Sequence, residues 1–437
     1  MTTKEEIKTM FTRYLISAVL TSLTTALAVM VDGIIVGNLI GHTGLAAINI
    51  MMPFIQLSVA LIMLLCTGGA LLAAYGIGQK NYNVSNGYFT MSTILTLAVG
   101  FIFTALGLIC PDACIKVFCS DPALFPDAKA YGVVMFYTAP LFFMIQNLAA
   151  YIRTDNSPRL VLTAMILANV VNLTCDYVYI KFFGMGIGGA AWATATGYVL
   201  ALALMCIHFT YKDSTLRLNT NFKEVAIISL LTMGLPLVAD TATMFARVLW
   251  VNHIIMESLP TYGMSIMAVL MAVLMFMNMV VAGTSQALQP LAGRLGGEGN
   301  KQGVRWVVKM SAIVLIVSGV ALVIIVNLLA TPIAMLFGLS GECLELTIPA
   351  LRIFCICFPF FGISYLLFVI CLIQKRKTLS CVLAVTHSFM VAPVMWCIVH
   401  INPDLIWHSF WIGDVLAVAV GLILYRIYNV KITDERI

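Results

Sequence analysis

Twelve apolar runs, each long enough to cross a bilayer, follow one another at 10–38, 45–77, 87–110, 128–153, 157–181 and 187–211, then 225–256, 261–293, 303–328, 346–373, 378–400 and 405–428. A spanning helix needs about 20 apolar residues, and a helix satisfies its backbone groups internally, as hydrocarbon demands. The runs are continuous rather than alternating, which excludes a barrel of roughly ten-residue strands. Composition agrees: of 437 residues 61% are hydrophobic and only 10% charged, with a mean hydropathy of +1.01. Soluble domains carry about 25% charged residues, so the apolar excess here must face lipid. The expected fold is an all-α integral membrane protein of twelve transmembrane helices. The amino terminus, basic and then continuously apolar without a small-residue cleavage site, reads as an uncleaved first span.

Charge sets the orientation. Nineteen of the 24 Lys and Arg fall on the side of the amino terminus, three (Lys116, Lys129, Lys181) on the other, and Arg247 and Arg352 lie within spans. Such a bias assigns the nineteen-cation side, and with it both termini, to the cytoplasm. The net charge of +5 is therefore a matter of topology, and no basic cluster interleaved with aromatics points to nucleic acid. The polar stretch 211–224 is the natural linker between an amino-terminal lobe, 1–210, and a carboxyl-terminal lobe, 225–437. The lobes resemble each other. Residues 67–83 align without gaps on 284–300, while Val117-Phe118 matches Leu336-Phe337 and Ala139-Pro140 matches Phe358-Pro359 at an offset of 219. Two six-helix halves of equal orientation form a parallel repeat related by an axis along the membrane normal, an arrangement of transporters that bind substrate between the halves.

An ionised side chain at mid-membrane costs about 2.5–3.5 kcal/mol by insertion scales, so each one is a functional candidate. Asn169, Asn172 and Asp176 fall at i, i+3 and i+7 on one face of the fifth helix, and Asp32 can join them from the first. These hard oxygens suit a small cation or an exchangeable proton; the plain alternative is an interhelical hydrogen-bond clamp. Asp240 and Arg247, at i and i+7 on the seventh helix, read first as a structural ion pair and second as a substrate contact. His387 and Asp414 are either titrating groups or satisfied core groups. A stripe of Met264, Met267, Met271, Met275 and Asn278 on the eighth helix is either ordinary packing or an adaptable ligand wall. The twelve Cys mostly stand alone in apolar runs as small hydrophobes; no CxxC or Cys/His ligand spacing appears. Ser157-Pro158 marks a helix start, Ser as cap and Pro as first helical residue.

Five segments, 31–54 (VDGIIVGNLIGHTGLAAINIMMPF), 153–159 (RTDNSPR), 169–195, 234–236 (GLP) and 283–300 (GTSQALQPLAGRLGGEGN), in this order and spacing resemble the MATE family of multidrug and toxic compound extrusion transporters. The resemblance covers essentially the whole chain. It implies two six-helix lobes around a central cleft and expulsion of substrate against inward H+ or Na+, with no other cofactor. It also implies a coupling-ion site at Asp32, Asn172, Asp176 and Thr194, with Gln146 or Asn147 of the fourth helix as a contributor. Carboxyl-lobe ion carboxylates of some relatives, a Glu on helix 7 and an Asp on helix 10, are not matched: Met244 stands near the first position, and the run 346–373 has no carboxylate.

The expectation is a monomeric secondary antiporter of a bacterial cell membrane exporting amphipathic, cationic organic compounds, with Asn169 beside the coupling site and Met267, Met271, Met275, Asn278, Asp240 and Arg247 as substrate-side candidates. A lipid-linked saccharide flippase of the same superfamily would hold several cations for pyrophosphate, whereas the spans hold only Arg247 and Arg352. A passive channel is the other alternative. No HExxH, GxSxG or paired-His motif suggests an enzyme.

Overall fold

The computed structural model describes residues 2–119, 121–259 and 261–434, with side chains as far as Tyr428; the cations Lys431 and Arg436 lie outside those side chains. Among the described residues twelve helices are long and apolar enough to cross a membrane: α1 (Lys4–Leu39), α2 (His42–Gly78), α3 (Tyr82–Ile109), α4 (Phe125–Thr154), α5 (Pro158–Phe182), α6 (Gly186–Thr210), α7 (Ile227–Ser258), α8 (Gly263–Gly297), α9 (Lys301–Leu336), α10 (Gly341–Ile373), α11 (Lys377–Ile401) and α12 (His408–Tyr428). Each corresponds to one expected run. The largest differences sit around the α9–α10 connection. There α9 kinks at Leu329 (φ −107°, ψ 16°) ahead of Pro332, which lacks an N–H, and then resumes to Leu336. In turn α10 starts early enough to take in Glu342 and Glu345, both exposed in its first turns. The expectation of a tenth helix without carboxylates is corrected to that extent.

Local chemistry explains the helix ends. Thr3 caps α1 in a reciprocal box: its hydroxyl accepts from the Glu6 N–H at 3.4 Å, and the Glu6 carboxylate accepts from the Thr3 N–H at 2.7 Å. Pro158 opens α5 as expected, but Ser157 makes no side-chain cap bond. Its backbone, at φ −119° and ψ 50°, leaves the hydroxyl unengaged with the first turn.

The chain divides into two compact units, one of Met1–Gly234 with Pro290–Lys301, the other of Leu235–Gln289 with Gln302–Ile437. The last turns of α8 therefore belong with the amino-terminal unit, and Pro290 marks the changeover. The reason is a close crossing of α2 and α8. A Cβ added at Gly78 would lie 2.0 Å from the Arg294 carbonyl oxygen, and one at Gly297 would lie 2.2 Å from that of Tyr75. Thr2 ties the amino terminus to the same place, its N–H donating to the Glu298 carboxylate at 3.0 Å and its carbonyl accepting from Asn300 Nδ2 at 3.2 Å.

Within each unit the same crossing recurs. Gly100 of α3 meets Pro140 of α4, where a Cβ would come within 2.6 Å of the proline Cα; Gly319 of α9 meets Pro359 of α10, where it would come within 2.8 Å of the proline nitrogen. Both members of the second pair stand 219 positions after those of the first, so the weak sequence repeat is a repeat of packing.

The linker after α6 is pinned by one carboxylate. Asp155, just past α4, accepts from His208 Nε2 (2.8 Å), the Thr215 N–H (2.8 Å), the Leu216 N–H (3.3 Å), Ser214 Oγ (3.3 Å) and the Thr215 hydroxyl. Burial alone would push this carboxyl up, but the His208 and Thr215 hydrogen bonds outweigh it and hold Asp155 below the ordinary value of 3.8. Farther along, the Arg217 N–H donates to Asn86 Oδ1 at 3.0 Å and the Asn219 N–H to Thr90 Oγ1 at 2.8 Å, fastening the linker to α3.

Gly78→Ala should destabilise the protein by about 1–3 kcal/mol through overpacking, read as a lower melting temperature in detergent; Gly33→Ala, where a Cβ meets nothing within 4 Å, should leave it unchanged. Asp155→Ala should free the linker, giving faster tryptic cleavage after Arg217 and Lys223 than in the parent. Because the native carboxyl is depressed, the clasp's contribution is complete above about pH 4 and fades as pH falls through the native value. Equal cleavage rates in the two proteins would show that the clasp does not hold the segment.

Candidate functional site

The amino-terminal unit encloses a chamber of about 450 Å³ between α1, α2, α4, α5 and α6. Asp32, Asn169, Asn172 and Thr194 line it, with Gln146 and two tyrosines, Tyr131 and Tyr198, among apolar neighbours such as Phe54 and Phe142. Asp176 is not on the chamber wall. It sits one turn farther along α5, completely buried, with Tyr177 between it and a π-helical turn at Val178–Phe182. Such turns displace the helix register and are frequent at functional sites.

Local packing brings the groups together. Gly197 of α6 lies against α5 so closely that a Cβ would be 2.8 Å from the Ala168 carbonyl oxygen and 3.2 Å from the Asn172 Cβ. At that approach Asn172 Nδ2 donates to Thr194 Oγ1 at 3.3 Å, and the threonine hydroxyl donates onward to the Ala190 carbonyl at 3.1 Å. The Asn172 amide oxygen is thereby turned away from Thr194.

The carboxyl groups of Asp32 and Asp176 are neighbours, each within reach of a hydrogen bond to the other. Yet both oxygens of Asp176, one of Asp32 and the amide nitrogen of Asn169 are buried without any protein hydrogen-bond partner. Buried polar atoms are nearly always satisfied, and two carboxylates can only accept. A proton between them, or a cation bound by both, supplies what the protein leaves out. The donor set of carboxylates, amide oxygens and a hydroxyl is hard oxygen throughout, which fits Na+ as well as H+.

Sequence reasoning named Asp32, Asn169, Asn172, Asp176 and Thr194, and the structure gathers all five at this chamber or immediately behind it. Of the two fourth-helix candidates, Gln146 faces the chamber. Asn147 is buried on the other side, accepting from Ser92 Oγ at 2.7 Å and donating to Thr93 Oγ1 at 2.9 Å. Tyr131 and Tyr198 were missed, although the Asp32 charge acts on both and that of Asp176 on Tyr131 as well. For Tyr198 a signal existed, since it stands four residues after Thr194 on the same helical face.

The carboxyl-terminal unit arranges its polar groups differently. Asp240 and Arg247 form no ion pair within bonding distance; Asp240 instead accepts from the Ser388 hydroxyl. The expected pairing is corrected: seven residues put the two on one face but two turns apart, and Ser388 of α11 is nearer. Arg247 is buried and its charge acts on Asp240, His387 and Asp414 together. His387 Nδ1 bonds Ser364 Oγ at 2.6 Å, its ring packed against Phe361, and Asp414 keeps one buried oxygen unpaired. The methionine stripe is unevenly buried. Met267 is buried within the unit, Met271 and Asn278 are half-buried, and Met264 and Met275 are exposed.

Twelve candidate spans among the described residues, with unpaired acids at a chamber inside the amino-terminal unit, define a polytopic membrane protein. The chain belongs to the MatE family, whose model matches residues 17–178 and again 236–397, the second copy at the offset of 219 seen in the packing. It is 22% identical over 255 residues to the multidrug export protein MepA of Staphylococcus saprophyticus, 56% of this chain and 55% of that one. It is 26% identical over 293 residues to the probable multidrug resistance protein NorM of Thermotoga maritima, 64% of this chain and 61% of that one. The matches thus span little more than half the length of these relatives. In fold it superposes on a multidrug resistance MATE family transporter of the MOP superfamily in an outward-facing conformation, with a TM-score of 0.87, 20% identity and 98% and 97% of the two chains covered. A MOP superfamily transporter from Pyrococcus furiosus gives 0.86 at 20% identity, covering 97% and 96%.

The repeat sharpens the asymmetry of the site. At the offset of 219, Asp32, Asn172, Asp176 and Thr194 correspond to Val251, Val391, Met395 and Gly413. The helix contact survives, since a Cβ at Gly413 would lie 2.8 Å from the Val391 Cα, but the oxygens are gone. Asn147→Ala should cost about 1–3 kcal/mol of stability by stranding its buried partners while leaving ion dependence of transport intact. A changed ion dependence in that variant would place Asn147 in the site after all.

Proposed function

We propose that this protein is a secondary active antiporter that exports amphipathic organic cations in exchange for inward H+ or Na+, with Asp32 and Asp176 as the coupling acids. The observation that carries this reading is the neighbouring pair of carboxyls buried in the amino-terminal unit with three oxygens unpartnered and no basic side chain bonded to them. Two negative charges in a membrane interior need a positive one between them. Arrival of the ion from outside neutralises the pair, changes how α1 packs on α5, and lowers affinity for the exported cation; the ion leaves when the site faces the cytoplasm. An ion drives this cycle only through different affinity for the two states. One charge moving through 100 mV supplies about 2.3 kcal/mol, roughly a fiftyfold concentration ratio.

Asn172, Thr194 and Asn169 provide neutral oxygens around the acids, and the exported compound meets the aromatic walls of the chamber, where Phe54, Phe142, Tyr131 and Tyr198 suit a flat cationic molecule. In this reading residues 1–210 handle the ion and 225–437 form the other lobe, with both termini in the cytoplasm by the bias of basic residues. The multidrug names of the relatives support an organic substrate.

Purified protein in liposomes, given a fluorescent organic cation and separately imposed pH and Na+ gradients, tests the proposal. Uphill efflux driven by one gradient is expected. Asp176→Asn should abolish it, collapsing the roughly fiftyfold concentration ratio that one coupled charge sustains at 100 mV, while keeping the melting temperature of the parent. Full gradient-driven transport by Asp176→Asn removes the acid pair from the mechanism, and downhill flux insensitive to either gradient makes the protein a passive channel.

A further inference from the structure

The face that carries the amino terminus bears a groove of about 760 Å³ along α1 and α5, and a second of about 390 Å³ at the start of α5. Arg13, Arg159 and Thr163 line both, so the two form one continuous depression. Lys8 completes a basic trio, against a single lining carboxylate, Glu5. None of this belongs to the acid chamber, whose lining shares no residue with the groove.

The cations are arranged rather than scattered. Arg13 donates through Nη2 to the backbone oxygen of Asn156 at 3.4 Å and to its side-chain oxygen. Asn156 offers both because it adopts a left-handed backbone (φ 65°), which asparagine tolerates better than most residues. The guanidinium is thus fixed beside the start of α5, and its Nε still has no protein acceptor. Lys8 and Arg159 are exposed, without an ion pair to any acid among the described residues. Tyr211, exposed at the far end, adds the amphipathic ring favoured at a membrane interface.

Below the basic end the wall becomes apolar. Ile16, itself exposed, and Leu162 line the groove, and farther along Leu20 of α1 and Leu167 of α5 are exposed. From Lys8 to Leu20 is about 18 Å of helix, roughly the depth of one leaflet. A free phosphate would use the basic end only. A molecule with a charged head and hydrocarbon tails uses the whole length. Glu5, about one turn above Lys8, can accept from headgroup hydroxyls and disfavours a doubly charged phosphate.

We propose that this groove binds an anionic glycerophospholipid, its phosphate held by Arg13, Arg159 and Lys8 and its acyl chains laid along Ile16, Leu20 and Leu167. Each basic side chain at an anionic headgroup contributes about fivefold in affinity, so two of them account for roughly a twenty-five-fold preference over a zwitterionic lipid. The bound lipid lies against the outer side of the helix that carries Asp32 and anchors its amino-terminal end in the charged leaflet surface.

Native mass spectrometry of the full-length, delipidated protein tests this, by titration with phosphatidylglycerol, phosphatidylcholine or inorganic phosphate. The expected result is one phosphatidylglycerol retained at least about tenfold more tightly than phosphatidylcholine and not displaced by millimolar phosphate. Arg13→Gln/Arg159→Gln should remove that preference. Because Arg13 also bonds Asn156, Lys8→Gln/Arg159→Gln serves as the second variant: both side chains are exposed, and its melting temperature should match the parent while the preference falls. Equal retention of the two lipids by the parent, or an unchanged preference in both variants, overturns the proposal. Displacement by phosphate alone would make the groove an ion site and overturn its lipid assignment.

Discussion

The interior of a bilayer cannot solvate an unpaired charge, and nearly every feature of this protein answers to that constraint. It compels helices, because only they close their own backbone hydrogen bonds, and it makes each buried acid a liability unless something offsets it. The second unit answers with Arg247, placed where its charge acts on Asp240, His387 and Asp414 at once. The first unit has no such cation bonded to Asp32 and Asp176. One unit holds a positive charge among its buried acids; in the other the paired acids have none bonded to them among the described residues.

The duplication makes this contrast informative. Positions that set helix crossings, Gly100 with Pro140 and Gly319 with Pro359, were retained in both copies because any Cβ there collides with backbone. Positions that point into the bundle were free to diverge. Asp32, Asn172, Asp176 and Thr194 correspond in sequence to Val251, Val391, Met395 and Gly413 of the second copy. Backbone geometry recurs where side chains cannot substitute for it, while the polar groups of the two copies stand at different positions.

How much of this was legible in the residues follows from the range of each interaction. The spans were readable, since bilayer thickness writes itself directly into run length. The α5 stripe was readable because i, i+3 and i+7 is a property of one helix. What sequence could not supply was contact between helices. It paired Asp240 with Arg247 along α7, where the carboxylate in fact turns to Ser388 of α11. It left the methionines of α8 open between packing and a ligand wall, and their burial differs along the helix, Met267 being buried and Met275 exposed. It left Gln146 and Asn147 undecided, because a rotation of one residue about α4 settles which meets the chamber and which meets Ser92. The hydroxyl cap expected of Ser157 failed for a more local reason, its backbone lying outside the extended conformation that aims the side chain at the first turn.

The crossing of α2 with the end of α8 has a consequence for how the polypeptide can be divided. Severing it in the polar stretch at 211–224 would separate two pieces of similar length, but neither piece would be a unit. The first would lack Pro290–Lys301, the strip its own glycines are shaped to receive, and would show lipid or solvent a seam of bare backbone. Assembly during synthesis must therefore wait: the amino-terminal bundle is finished only after eight helices have emerged, so its maturation is tied to the making of its sibling.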